Sequence, residues 1–157
     1  MDKEMFSTIL VATDGSHESL AAVRAAAKEA MLHHAVLHVV CAANPGASKS
    51  MLVSPHANAL FVNYEQINEF LAEEAKKALE YAEEEATSLG VTVIPHLVFG
   101  DPREEILRCA EQISADCIIV GFTGKTGLKA LLLGSVSSAV VTHARTNTMI
   151  IREKRKE

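Results

Sequence analysis

Two glycine-containing segments in the last quarter of the chain have the residue types of an anion-binding site. The first is Gly121-Phe122-Thr123-Gly124, and the second, nine residues further on, is Gly134-Ser135-Val136-Ser137. Glycine lets the backbone approach a ligand closely and adopt positive φ, so successive amides can point at one anion. The second segment also opens a helix, whose unpaired amides favour phosphate, with the hydroxyls of Ser135 and Ser137 as added donors. The pattern predicts a polyphosphate site.

Each glycine taken singly has a simpler explanation. Gly121 fits the end of a strand and Gly134 the start of a helix that Ser135 caps. The segment Gly124-Lys125-Thr126 is similar to the end of a Walker A loop, but that motif needs a glycine where Ile119 stands. The P-loop hypothesis is therefore set aside, and the phosphate hypothesis depends on the two segments acting together.

The elements that must position these segments alternate along the chain. Short apolar runs predict buried strands, and apolar residues at intervals of three and four predict amphipathic helices between them. Gly90 predicts the end of the longest helix, and Pro95 places the third strand at a sheet edge. The predicted strands are 7–12, 35–41, one beginning at 91, 116–120 and 148–151, and the predicted helices follow Ser16, span 64–89, follow Asp101 and span 135–144.

This alternation predicts an α/β fold, an open five-stranded, mostly parallel, Rossmann-like sheet with helices on both faces. Ligands of such sheets bind beyond the carboxyl ends of the strands, where the strand order reverses. Asp14 follows the first strand and Val39 lies near the end of the second. We therefore expect the site among the loops after strands one, two and four.

Length and composition predict one domain over residues 1–157, with a loop or insertion at 41–63 and a charged tail at 152–157. The net charge of -5 disfavours general nucleic-acid binding. No run is apolar enough to span a bilayer and the first residues are unlike a secretory signal, so a cytoplasmic location without membrane attachment is expected.

The spacing of Cys41, Cys109 and Cys117 fits neither a redox pair nor a zinc motif, which predicts reduced, buried thiols.

The chain resembles the ATP-binding branch of the universal stress protein family. The segment Ile9–Ser16 looks like the first strand and turn of that family, Leu37-His38-Val39 like its second strand, and the spacing Gly, two residues, Gly, nine residues, Gly-Ser like its nucleotide signature. The resemblance implies an adenine nucleotide alpha hydrolase-like fold that binds ATP, with any Mg²⁺ held through the phosphates. The implied nucleoside contacts are Ala12, Thr13, Asp14, the Val39 backbone, Val120 and Gly121, and the implied phosphate contacts are Gly124, Gly134, Ser135, Val136 and Ser137.

The resemblance implies an ATP-binding regulatory or stress-response protein that forms a homodimer through its last strand, Thr148–Ile151. A slow ATPase or nucleotidyl-transferring enzyme is the first alternative, although neither Arg103 nor Arg145 stands out as a catalytic arginine and no catalytic residue is assigned. A protein-interaction module that uses the 41–63 loop is the second. A receiver-like phosphorylation domain is disfavoured, because only Asp14 supplies a carboxylate beside the first strand.

Overall fold

The computed structural model describes residues 4–45, 63–123 and 132–153. Within these residues five strands alternate with four helices. The strands are β1 (Thr8–Ala12), β2 (Val36–Ala43), β3 (Val93–Phe99), β4 (Cys117–Gly121) and β5 (Asn147–Ile151). The helices are α1 (His17–His33), α2 (Tyr64–Ser88), α3 (Pro102–Gln112) and α4 (Ser135–His143).

The strands form one sheet in the order β3-β2-β1-β4-β5, and all four pairings are parallel. The predicted α/β class is confirmed, and "mostly parallel" becomes fully parallel for the described strands. From β1 the chain moves outward to β2 and β3, then returns to place β4 on the other side of β1. The strand order therefore reverses between β1 and β4, which is where a parallel sheet opens a crevice for ligands.

Two apolar layers enclose the sheet. On one face, Ile9, Val11, Val39 and Ile119 pack under α1 and α2 in one buried cluster. On the other face, a second cluster joins Leu10, Val40, Ile118 and Val120 to α3 and α4. Neighbouring strand residues enter opposite clusters because side chains alternate across a pleated strand. Burial on both faces explains why the central strands are continuous apolar runs.

Small side chains let the helices approach the sheet closely. Four alanines of α1 and four of α2 are buried, and they give a core with few aromatic groups. The buried alanines are Ala22, Ala26, Ala27, Ala30, Ala75, Ala78, Ala82 and Ala86. The three cysteines are also buried, as predicted. Burial raises the pKa of the Cys117 thiol to about 11, so it stays protonated at neutral pH.

Side chains cap two of the helices at the positions where the sequence predicts helix starts, whereas the predicted cap of the last helix is absent. Ser16 accepts a hydrogen bond from the Ser19 amide, and Asp101 accepts one from the Arg103 amide. The N-cap of α4 is Gly134, however, and no side chain caps this helix, so the interpretation of Ser135 as a cap is wrong.

Two strand boundaries also differ from the prediction. The second strand continues to Ala43, because Leu97, Val98 and Phe99 of β3 pair with its last three residues. The third strand begins at Val93 and runs through Pro95 to Phe99. Pro95 interrupts nothing because β3 lies at the sheet edge, as predicted, where a missing N–H is tolerated. Residues 46–62 of the predicted loop and 154–157 of the predicted tail lie outside the described residues.

In the part of the chain that the structure describes, no helix combines the length and apolar content that a bilayer span requires.

Candidate functional site

A cavity of about 440 Å³ opens at the carboxyl ends of β1, β2 and β4, beside the starts of α3 and α4. Its volume lies within the range of small-molecule sites. It is lined by nine of the eleven predicted site residues, which are Ala12, Thr13, Asp14, Val120, Gly121, Gly134, Ser135, Val136 and Ser137. The sheet thus brings together residues that are more than 100 positions apart in sequence.

The turn between β1 and α1 is held by a buried pair of hydroxyl groups. The Ser19 hydroxyl donates to the Ser16 carbonyl at 3.0 Å, so in its 3.0 Å contact with Thr13 the threonine hydroxyl is the donor. The Thr13 amide donates to the carbonyl of Val40 at 2.9 Å, which ties the turn to β2. These bonds fix the backbone at the cavity wall.

Asp14 lies at the tip of this turn and lines the cavity. Its Oδ1 accepts a hydrogen bond from the Ser16 amide at 2.9 Å, and its own amide donates to the Ser19 hydroxyl at 3.3 Å. Gly15 follows with φ of +79°, a conformation that favours glycine. The turn therefore presents the carboxylate in one orientation beside the cavity.

The two glycine-containing segments contact each other directly. The Gly134 amide donates to the carbonyl of Phe122 at 2.9 Å, and the Ser137 hydroxyl donates to the carbonyl of Gly121 at 2.6 Å. A Cβ on Gly121 would lie 3.1 Å from the Glu18 carbonyl oxygen, so the close approach of backbones requires glycine here. The predicted phosphate contact Gly124 lies outside the described residues.

These contacts change the roles that two of the predicted residues can play. The proton of the Ser137 hydroxyl is donated to Gly121, and the Gly134 amide is donated to Phe122. Both groups hold the segments together and are not directed at a ligand as donors. The predicted use of the Ser137 hydroxyl as a phosphate donor does not hold in this structure.

The start of α4 supplies the donors that remain. Ser135, Val136 and Ser137 occupy its first three positions, and the amides at these positions have no acceptor within a helix. The first helical bond runs from the Ser138 amide to the Gly134 carbonyl at 2.8 Å. Three neighbouring amides and the positive end of the helix therefore border the cavity, an arrangement that attracts anions.

The start of α3 contributes lining residues that are not among the predicted site residues, namely Asp101, Pro102, Arg103 and Ile106. Arg103 Nη2 lies 2.6 Å from Asp101 Oδ2, and Arg103 Nε lies 3.0 Å from Asp101 Oδ1. The hydrogen-bonded guanidinium lowers the pKa of the Asp101 carboxyl, which therefore stays ionised at neutral pH. The capping motif was recognisable in the sequence, but its place beside the cavity depends on the strand order.

Val39 is the predicted residue whose side chain the structure places elsewhere. It is buried with α1 and α2, while its neighbour Val40 lines the cavity from the other face of β2. The prediction concerned the Val39 main chain and stays a prediction. In the first glycine segment, Thr123 lines the cavity, and the centroid of the Phe122 ring lies 3.8 Å from Arg152 Cζ.

Histidines and carboxylates form no metal-binding group of three or more among the described residues. His38 and His96 come close on neighbouring strands, with Nδ1 and Nε2 2.8 Å apart. Burial lowers the pKa of both imidazoles. This pair is not among the residues that line the cavity.

Comparison with known proteins connects this arrangement to one family. The model of the universal stress protein family matches residues 5–152. The universal stress protein MJ0531 of Methanocaldococcus jannaschii is 32% identical over 156 residues, which cover 99% of this chain and 87% of the relative.

Solved structures give the same result. The structure of MJ0577 from the same archaeon superposes with a TM-score of 0.78 at 28% identity and covers 97% of this chain and 99% of its own. A universal stress protein in complex with cAMP superposes with a TM-score of 0.66 at 26% identity, covering 93% and 96%. The chain therefore belongs to the universal stress protein family.

Proposed function

We propose that this protein binds ATP in the cavity at the β1/β4 switch point and acts as a nucleotide-dependent regulatory protein in the response to stress. The observation that carries the proposal is the convergence of the two glycine segments with the β1–α1 turn around one cavity of about 440 Å³. The spacing of the two glycine segments and the geometry of the cavity both point to this edge of the sheet.

The polar groups of the cavity suit the parts of a nucleotide. Ser135, Val136 and Ser137 line the cavity at the start of α4, and amides at a helix start are suited to bind phosphates. Asp14, on the β1–α1 turn, is an acceptor for a ribose hydroxyl or the adenine amine. Val40, Ala42 and Ile106 add apolar surface against which a base can pack. One relative of known structure binds cAMP, which supports an adenine nucleotide as the ligand class.

Magnesium enters this proposal through the nucleotide. Mg²⁺ keeps several waters and binds phosphate oxygens together with few protein ligands. We assign its coordination to the ATP phosphates, with no dedicated protein site, and we place the protein in the cytoplasm, where ATP is available.

Two copies of the chain are proposed to pair through β5. This strand ends the sheet, and no described strand lies on its outer side. Met149, Ile150 and Ile151 are half-buried and complete the two apolar clusters at this edge. A second β5 across a two-fold axis would satisfy the open backbone groups and extend the sheet between subunits.

Titration calorimetry with the purified full chain tests the proposed ligand. ATP should bind more tightly than GTP if Asp14 and the apolar wall select adenine, and more tightly than adenosine if the α4 amides hold phosphate. No heat of binding for ATP or adenosine at millimolar concentration would refute the proposal. Phosphate release measured against heat-inactivated protein distinguishes a regulatory protein, for which the two rates are equal, from the alternative of a slow ATPase.

A further inference from the structure

Among the described residues that line the cavity, the Asp101–Arg103 pair is a strongly charged feature that the proposed contacts leave unused. Both residues line the cavity, and the guanidinium contacts both carboxylate oxygens. The Arg103 side chain is nevertheless 55% exposed, so water and ligands can reach it. The fold presents a planar, permanently charged donor group at the cavity edge.

The chemistry of a helix start does not explain an arginine at this position. The positive end of the helix dipole favours acidic residues in the first turn, and Glu104 and Glu105 follow that rule. Arg103 is the exception, and the Asp101 carboxylate offsets its charge. A cation that is unfavourable at a helix start but is held beside a cavity indicates a role in binding a ligand that enters the cavity.

The surroundings of Arg103 favour an anionic group. Helix α3 packs against α4, and both helices begin at the same cavity. The three amides at the start of α4 and the guanidinium of Arg103 therefore border one region, and both are donors without acceptor capacity. A phosphate accepts from both and matches the fork of the guanidinium.

We propose that Arg103 contacts a phosphate group of the bound nucleotide and makes the cavity select phosphorylated nucleotides over nucleosides. Asp101 holds the guanidinium in the ligand-free protein, and the phosphate takes over part of its hydrogen bonding on binding. The inference rests on the proposed function, since it names a specificity-determining residue of the same site. It involves no covalent step.

The test compares Arg103→Gln with Arg108→Gln, using ATP and adenosine as ligands in calorimetry. Arg108 is a matched control, because it lies on the same helix, pairs with Glu105 and does not line the cavity. Arg103→Gln should weaken ATP binding about 3- to 10-fold, a range that allows for the exposure of the side chain. Adenosine affinity should change less than about 2-fold, and Arg108→Gln should leave both ligands unaffected.

A second variant tests the part assigned to the carboxylate. Asp101→Asn keeps a capping side chain but removes the charge that holds Arg103. Its affinity for ATP should equal or exceed that of the wild type, and a lower affinity would contradict the proposal. If Arg103→Gln has a lower melting temperature than the wild type, Arg103→Lys is used in its place. We expect Arg103→Lys to lower the affinity for ATP about 2- to 3-fold and to leave the affinity for adenosine unchanged.

The outcomes separate this inference from the proposed function. If the wild type binds neither ATP nor adenosine, the proposed function fails and the inference fails with it. If the wild type binds ATP and Arg103→Gln binds it equally well, or loses ATP and adenosine to the same extent, the inference alone is refuted.

Discussion

The hydrogen bond from Ser137 to the Gly121 carbonyl is expected to stabilise both the fold and the site. It is buried and 2.6 Å long, and it joins α4 to the end of β4. Ser137→Ala would leave a buried carbonyl without this donor, at a cost of about 1–3 kcal/mol. The substitution also exchanges serine for the better helix former, which returns about 0.5 kcal/mol.

Ser138→Ala is the control that isolates the hydrogen bond. Ser138 lies next along the same helix and is exposed, so its replacement has the same effect on helix propensity without the loss of a buried contact. The free energies of unfolding of the two variants, measured in urea, should differ by about 1–3 kcal/mol. With an m-value of about 2 kcal/mol/M, a difference of about 2 kcal/mol separates the two unfolding midpoints by about 1 M urea. ATP binding should weaken about 3-fold in Ser137→Ala, because the α4 amides are less well positioned. Equal midpoints for the two variants would refute the role of this bond.

Two further predictions concern the sheet edges. Burial lowers the pKa of His38 and His96 below the ordinary 6.5, so as the pH falls these imidazoles are protonated in the unfolded chain before they are protonated in the folded one. The free energy of unfolding should therefore fall as the pH drops below about 6.5. The double variant His38→Gln/His96→Gln should show a weaker pH dependence in urea titrations between about pH 5 and 7.5. A slope unchanged in the double variant would show that other groups cause it. The Ile151 carbonyl accepts a hydrogen bond from the Phe122 amide, so the backbone groups of Ile151 point towards β4. Backbone groups alternate in direction along a strand, and those of Thr148, three residues earlier, therefore point to the open side of β5. Thr148→Pro should convert the proposed dimer to monomer in sedimentation without lowering ATP affinity, and an intact dimer would exclude pairing through this edge.

The order and type of the elements were predictable because local patterns determine them. The central strands are buried on both faces, which makes continuous apolar runs such as Ile9–Ala12, and Ser16 and Asp101 cap helices through contacts within three residues. The continuation of β3 beyond Pro95 to Phe99 was not predictable from the segment itself. It follows from the edge position of that strand and from its pairing with the end of β2.

The site was predictable where its chemistry is carried by the local sequence. Glycines and serines at fixed spacing indicated the segments around Gly121 and Gly134, and the structure brings both to one cavity. The place of Arg103 was missed because it depends on the packing of α3 beside β2. The use of the Ser137 hydroxyl was missed because its acceptor, the Gly121 carbonyl, lies sixteen residues away.

In the proposed complex, the amides at the start of α4 bind the phosphates of an adenine nucleotide. Amide chemical shifts of the labelled chain, recorded during titration with ATP and separately with adenosine, report on those groups directly. We expect the amides of Ser135, Val136 and Ser137 to shift strongly with ATP and little with adenosine, while residues around Asp14 shift with both. Saturable ATP binding that leaves the shifts of these three amides unchanged would contradict their assignment to the phosphates.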